Sequence, residues 1–313
     1  MKTMWMGFAA LALVLTSCSK NETFENEASA NAIRFRNLND RLTTRAANDT
    51  NSDYGVYALL NNGTPAATGW FMDNQLVNGN DNSYSTLKFW PRVGTIDFYA
   101  YAPHASANLT LTGVAWDATT PTFGLSYTVP TNANEDLTIA TPVTGASQAT
   151  GKVGLVFSHM LSRFDFSAQL AQELLDDNFA LTLNSVSVKV AYNSGTNSLS
   201  NPGTWSALAG SGITYSGVSS YMIMPQPAID TEIILNVTIT HNGEDYFEGA
   251  LKTYVLKAGD VKTADLFNNG TKYLFSALVG ETTHDEDDDP IFNVISFTSI
   301  PSPWVDSPVS VNP

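Results

Sequence analysis

From Tyr54 onward the chain alternates apolar and polar residues with a period of two, interrupted by Asn- and Gly-rich punctuation. That period puts successive side chains on opposite faces of an extended chain, so it predicts strands. The runs are YGVYALL at 54–60, TLKFW at 86–90, TIDFYAYA at 95–102, LTLTGVA at 109–115, GLSYTV at 124–129, KVGLVF at 152–157 and SRFDFSA at 162–168. They continue with ALTLNSVSVKV at 180–190, YMIM at 221–224, EIILNVTIT at 232–240, YFEGALKTYVL at 246–256, KYLFSALV at 272–279 and IFNVISFTSI at 291–300. NNG, NGN and HNGED between them are turn formers, because Asn and Gly accept positive φ at little cost. Many short strands joined in this way imply β-sandwiches. Helix signals are confined to AQLAQELLDD at 168–177 and VKTADLF at 261–267. ATPVTGASQATGK at 140–152 has no apolar period and is dense in small polar residues, which places a boundary between two units there, after residue 148.

The chain ahead of Tyr54 is of another kind. Lys2 opens a short charged end, residues 7–15 form an apolar core too short to span a bilayer comfortably, and Leu15-Thr16-Ser17-Cys18 closes it. This reads as a secretory signal peptide, residues 1–17, whose end resembles the bacterial lipobox. There a small residue precedes a cysteine that takes a diacylglyceryl thioether and becomes the new N-terminus. Cys18 is the only cysteine, so no internal disulfide is open to it, and lipid attachment accounts for both its position and its solitude. An ordinary cysteine closing a signal peptide accounts for neither. Residues 19–53 are polar apart from one island, AIRFRNL, in which Ile33 and Phe35 alternate with Arg34 and Arg36 as on one strand.

With 313 residues, 43% of them hydrophobic, the chain can bury a sizeable core in one large domain or two ordinary ones. Its formal net charge of −15 argues against nucleic acid as a partner, since that affinity depends on Lys and Arg displacing counterions. No G-x-S-x-G and no phosphate-binding glycine loop occurs, so the chain is read as carrying no catalytic site and no cofactor. His104, His159, His241 and His284 lie far apart without ligand spacing, and no metal site is expected from them. ETTHDEDDDP at 281–290 lacks the glycine and alternating spacing of a calcium loop, and reads as a solvated hairpin that also discourages edge-to-edge pairing.

Arginine is distributed unevenly. Of Arg34, Arg36, Arg41, Arg45, Arg92 and Arg163, the first four precede residue 46. An arginine-specific protease would meet several sites in the polar leader and few in the patterned body. Proteolysis concentrates in exposed, weakly structured segments, so the leader is the part suited to being cut.

The order of Cys18, IRF, TTRA, YGVYA, FYAYAP, FGLSYTVP, DLTIATP, GLVFSHMLSRFDF, MIMPQP and YLFSALV with PSPWVD resembles the fimbrillin family, lipoprotein-derived pilus subunits of Gram-negative anaerobes. The resemblance spans essentially the whole chain, through motifs that are short individually and specific in their order. It implies an all-β fold of two tandem transthyretin-like β-sandwich domains after a cleaved lipoprotein leader. It also implies a lipidated propeptide at 18–45, sandwiches at 46–148 and 149–313, and an outer-membrane precursor cut by an arginine-specific surface protease between Arg45 and Ala46, with Arg41 as a second site.

In such a precursor AIRFRNL would complete the first sandwich, with Ile33, Phe35 and Leu38 in its core. Removing it would leave an apolar groove and two unpaired edges, a template for a strand from another pilus subunit. A head-to-tail contact of that kind builds a filament. Family members donate a C-terminal segment, which here falls within 291–313; Pro301, Pro303, Pro308 and Pro313 depart from an easy match, and IFNVISFTSI is the better strand. The competing reading is a permanently anchored surface lipoprotein or tip adhesin that binds glycans or host proteins through Trp70, Trp90, Trp116, Trp205 and Trp304.

Overall fold

The computed structural model describes residues 31–38, 52–61, 70–112, 122–217, 220–261, 266–286 and 290–304. Cys18, Arg41, Arg45, Ala46 and Trp116 lie outside them.

The first strand, β1 (Phe35–Asn37), belongs to the leader island. β2 (Tyr54–Asn61), β3 (Met72–Val77), β4 (Thr95–Ala102), β5 (Leu109–Leu111) and β6 (Gly124–Thr128) follow. Next come β7 (Thr138–Ala140), β8 (Val143–Ala146), β9 (Val153–Leu155) and β10 (Phe157–His159). The remainder comprises β11 (Ser162–Leu170), the short helix α1 (Gln172–Asp176), β12 (Phe179–Val190), β13 (Ser194–Ser198), β14 (Ser206–Ala209), β15 (Ile213–Ser216) and β16 (Ser220–Ile223). β17 (Glu232–His241), β18 (Glu244–Asp245), β19 (Lys252–Lys257), β20 (Thr271–His284) and β21 (Pro290–Pro303) complete it.

The fold is all-β. One sheet has the order β10-β7-β4-β2-β3, with β8 also on β4; two others have the orders β16-β11-β20-β21 and β15-β12-β17-β18, the latter with β19 also on β17. A fourth, β14-β13-β6-β5, joins strands from both halves of the chain, and β1 pairs with β9. Several apolar-faced sheets of this kind accord with tandem sandwiches.

Alternation places the core. On β17, Ile233, Leu235, Val237 and Ile239 turn inward, and on β20 Tyr273, Phe275, Ala277 and Val279 meet them in one large cluster. β4 is buried on both faces. Tyr99 and Tyr101 join the large cluster, while Ile96, Phe98 and Ala100 join a smaller one with Ile33, Phe35, Val56, Trp90, Val153 and Leu155. Gln226, in MIMPQP, is fully buried within the larger region and fully bonded. Its amide oxygen accepts the N–H groups of Ala191 and Tyr192 at 3.0 and 2.9 Å, and its amide nitrogen donates to the carbonyls of Tyr192 and Met224 at 2.9 and 3.0 Å.

Departures from the sequence pattern have local causes. TLKFW is not a strand: Thr86 stands at φ 58°, and only Phe89 bridges a neighbour, Ala32. KVGLVF divides at Val156, with its first part pairing to β1 and its last part, β10, to β7. YFEGALKTYVL keeps only its second half as strand, because Glu248 and Gly249 turn the chain at φ 54° and 89°. At 168–177, residues through Leu170 extend β11 before α1 begins.

Candidate functional site

Segment 31–38 is a middle strand, hydrogen-bonded on both flanks. Toward 88–90, the Ile33 N–H donates to the Lys88 carbonyl at 2.8 Å and the Trp90 N–H to the Asn31 carbonyl at 3.0 Å. Toward β9, which runs parallel to it, the Val153 N–H donates to the Arg34 carbonyl at 2.8 Å and the Leu38 N–H to the Leu155 carbonyl at 2.9 Å. Taking the segment away leaves the Lys88 and Leu155 carbonyls and the Trp90 and Val153 amides without these partners. Unpaired backbone groups of this kind are what an incoming strand satisfies.

Its side chains divide by face. Ile33 and Phe35 are buried at 0% and 4% exposure, and the Phe35 ring meets Phe98 edge-on at 5.7 Å and Tyr84 at 5.6 Å. Burying these two contributes about 3–6 kcal/mol, at the usual 1.5–3 per large apolar side chain. The Tyr84 hydroxyl donates to the Ile33 carbonyl at 2.8 Å, and burial raises its phenol above the ordinary value. Leu38, expected in the core with Ile33 and Phe35, instead lies half-buried on the Arg36 side of the segment, because it has the same parity as Arg36. It folds over Gly154, where a built Cβ would stand 2.8 Å from Leu38 Cδ1, so the glycine makes the close approach possible.

The C-terminal region repeats the spacing. Ile33-x-Phe35-x-x-Leu38 has a counterpart in Ile295-x-Phe297-x-x-Ile300 on β21. β21 pairs with β20 over 13 residue pairs and forms the edge of its sheet among the described residues. Phe292 anchors its start in the core, whereas Ile295 and Ile300 are 49% and 58% exposed. Pro301 and Pro303 sit opposite Tyr273 and Thr271 near the end of the ladder, where an edge strand tolerates proline. Just beyond, Trp304 stacks on His159 with centroids 3.8 Å apart and rings 7° from parallel, and its N–H donates to the Gly270 carbonyl at 2.8 Å. The Asp136 carboxylate holds His159 Nδ1 at 2.5 Å.

The other residues raised by the sequence serve packing. Trp70 lies edge-on between Tyr57 and Phe123, Trp90 is buried, and Trp205 donates to the Met160 carbonyl at 2.7 Å. His104 is stacked beside Tyr101 and His241 on Phe179, while His284 pairs with Glu281 at 3.2 Å. No group of three or more His, Cys, Asp or Glu residues suited to a metal occurs among the described residues. No helix among them is long and apolar enough to cross a membrane. Lys88–Trp90, Tyr84 and Gly154 as flanks of the leader strand were not read from sequence. The one signal available was a glycine between buried apolar positions in KVGLVF.

Comparison with known proteins adds a family and a fold. The fimbrillin-like family profile matches residues 41–291. Among solved structures, a candidate cell adhesion protein from Bacteroides uniformis has a TM-score of 0.57 at 17% identity, over 88% of this chain and 99% of that one. A fimbrial protein from Bacteroides vulgatus has a TM-score of 0.56 at 16% identity, over 87% and 99%. A candidate cell adhesion protein from Bacteroides ovatus has 0.50 at 17%, over 85% and 96%. No curated protein matches the sequence.

Proposed function

Because the chain belongs to the fimbrillin-like family, a family of structural and not catalytic proteins of the cell surface, we propose that it is a pilus subunit whose assembly is gated by removal of its leader strand. Export as a lipoprotein would attach it through Cys18 to the outer membrane. An arginine-specific surface protease would then cut between Arg45 and Ala46, seven residues past Leu38. The supporting observation is the placement of Ile33 and Phe35: a segment upstream of the cut is the middle strand of a layer and completes an apolar core. Once it leaves, the groove between 88–90 and β9 offers two unpaired edges and two large pockets to a strand from the next subunit.

The donor proposed here is Ile295–Ile300 of a second copy. It repeats the spacing of the strand it replaces, two of its three apolar side chains are exposed, and an edge strand can leave its sheet by giving up one ladder. On the proposed division into transthyretin-like sandwiches at 46–148 and 149–313, β9 and β10 lie in the second stretch of sequence yet pair with the first region.

The deciding experiment is N-terminal sequencing and intact mass of the protein recovered from the cell surface. A chain beginning at Ala46 without lipid is the expected result. A chain still beginning at acylated Cys18 in assembled filaments overturns the gating.

A further inference from the structure

Segment 31–38 has a second face, directed away from the core. Arg34 and Arg36 alternate outward from Ile33 and Phe35. Ala32 stands opposite Phe89 in an antiparallel bridge, and residues directly opposite share a face, so Phe89 lies on the same side, with the exposed Leu87 two residues before it. On the other flank Arg36 is in register with Gly154, which turns Lys152, Gly154 and Val156 outward as well. Leu87, Phe89 and Val156 are each between 43% and 45% exposed, and Lys152 is exposed. The Arg36 side chain lies across the bare backbone of Gly154, with Nε 3.5 Å from where a Cβ would stand. These three rows present three cations, three exposed large apolar groups beside the half-buried Leu38, and no carboxylate, on a chain whose formal net charge is −15.

We infer that this face rests on an anionic phospholipid bilayer while the leader is attached. Cations at headgroup level and apolar side chains reaching below it are the two components of interfacial attachment. Acidic groups elsewhere on the body act weakly there, since exposed charges are screened beyond about 8 Å at physiological ionic strength. The chain outside the structure supplies the location. It enters this face at Asn31, about a dozen residues after Cys18, and an extended tether of that length reaches about 40 Å. The tether itself carries Lys20 against Glu22, Glu25 and Glu27, so the net positive charge that meets an anionic surface is that of the face. The timing rests on the proposed reading of Cys18 and Arg45. A cut at Arg45 removes Arg34 and Arg36 with the leader, so the event that opens the groove also takes the central row from the lipid-facing surface.

The test uses the unlipidated chain from Ser19 to Pro313, which retains every described residue, and sedimentation with vesicles of phosphatidylcholine alone or mixed with phosphatidylglycerol. Partition onto the mixed vesicles only, reversed by high salt, is expected. Removing cations in R34Q/R36Q lowers that partition by about fivefold for each, or about 25-fold together. Phe89→Ser lowers it separately, with circular dichroism showing that both variants remain folded. Equal partition onto neutral vesicles, no partition onto either, or indifference to R34Q/R36Q overturns the inference. So does self-association without vesicles that R34Q/R36Q abolishes, which would assign the face to a second copy. None of these outcomes touches lipidation at Cys18 or cleavage at Arg45, which are read from the N-terminus and mass of the surface protein.

Discussion

Residues 33–38 and 295–300 carry one apolar spacing and meet opposite fates. The first buries its isoleucine and phenylalanine; the second leaves Ile295 and Ile300 in solvent. Neighbours make the difference. The leader segment lies between two flanking chains over a waiting core, so its apolar face is covered although its ladder with β9 spans only three residue pairs. Among the described residues β21 has one neighbour, with a 13-pair ladder, so backbone bonding holds it in place while Ile295 and Ile300 stay exposed. A strand held mainly by side chains leaves a groove shaped to them. A strand held mainly by its backbone keeps those side chains available.

The sharpest break of this comparison is Ile33→Asp with Phe35→Asp. Losing both apolar contacts and burying two carboxylates should destabilise the N-terminal core of the precursor by about 5 kcal/mol or more. In calorimetry the variant precursor should melt like a chain trimmed to begin at Ala46, and a variant that melts like the unaltered precursor would end the leader-strand account. Gln226→Ala should cost about 3 kcal/mol, because it leaves the half-buried Ala191 and Tyr192 amides and the Tyr192 and Met224 carbonyls without their partner. That loss should be the same before and after cleavage, since Gln226 belongs to the region closed by its own strands. Gly154→Val should cost about 1–3 kcal/mol in the precursor alone, through collision with Leu38, as a difference in denaturation midpoint. Ile295→Asp with Ile300→Asp should shift the monomer's stability by no more than about 0.5 kcal/mol per site while abolishing filaments in electron micrographs. Filaments from that variant would remove this segment as donor.

The smallest effect concerns Tyr84. Burial beneath the leader raises its phenol above the ordinary 10.0. A raised value in the docked state means that its contribution to holding the leader is complete below pH 10 and is lost as pH rises through that higher value. Absorbance titration should show one tyrosine ionising earlier after cleavage than before.

Much of this was legible from alternation. TIDFYAYA coincides with β4 residue for residue, and IFNVISFTSI lies wholly within β21, because neither run contains a left-handed residue; the irregularity at Ile295 shifts the register of β21 without ending it. β13 was not legible: SGTNS has no apolar side chain to mark a face, and only its pairing with β6 makes it a strand. Ile33 and Phe35 could be marked as apolar and alternating, but the flank at Lys88–Trp90 comes from a segment that Thr86 prevents from reading as a strand. The matching of 33–38 to 295–300 was present in the letters, and it acquired meaning only when the first was found to bury its isoleucine and phenylalanine and the second to leave both isoleucines exposed.

The passage from β10 to β11 is two residues long, Met160 and Leu161, both buried. Together with the five-residue ladder between β6 and β13 and the Trp304 ring on His159, it ties the two regions by three separate routes. A bead joined to the next by a single flexible tether would swivel under flow and pass tension through one covalent thread. Here a pull on one end is shared across several attachments loaded in parallel, so the body behaves as a strut, and any bending of a fibre built from it is concentrated at the joints between copies.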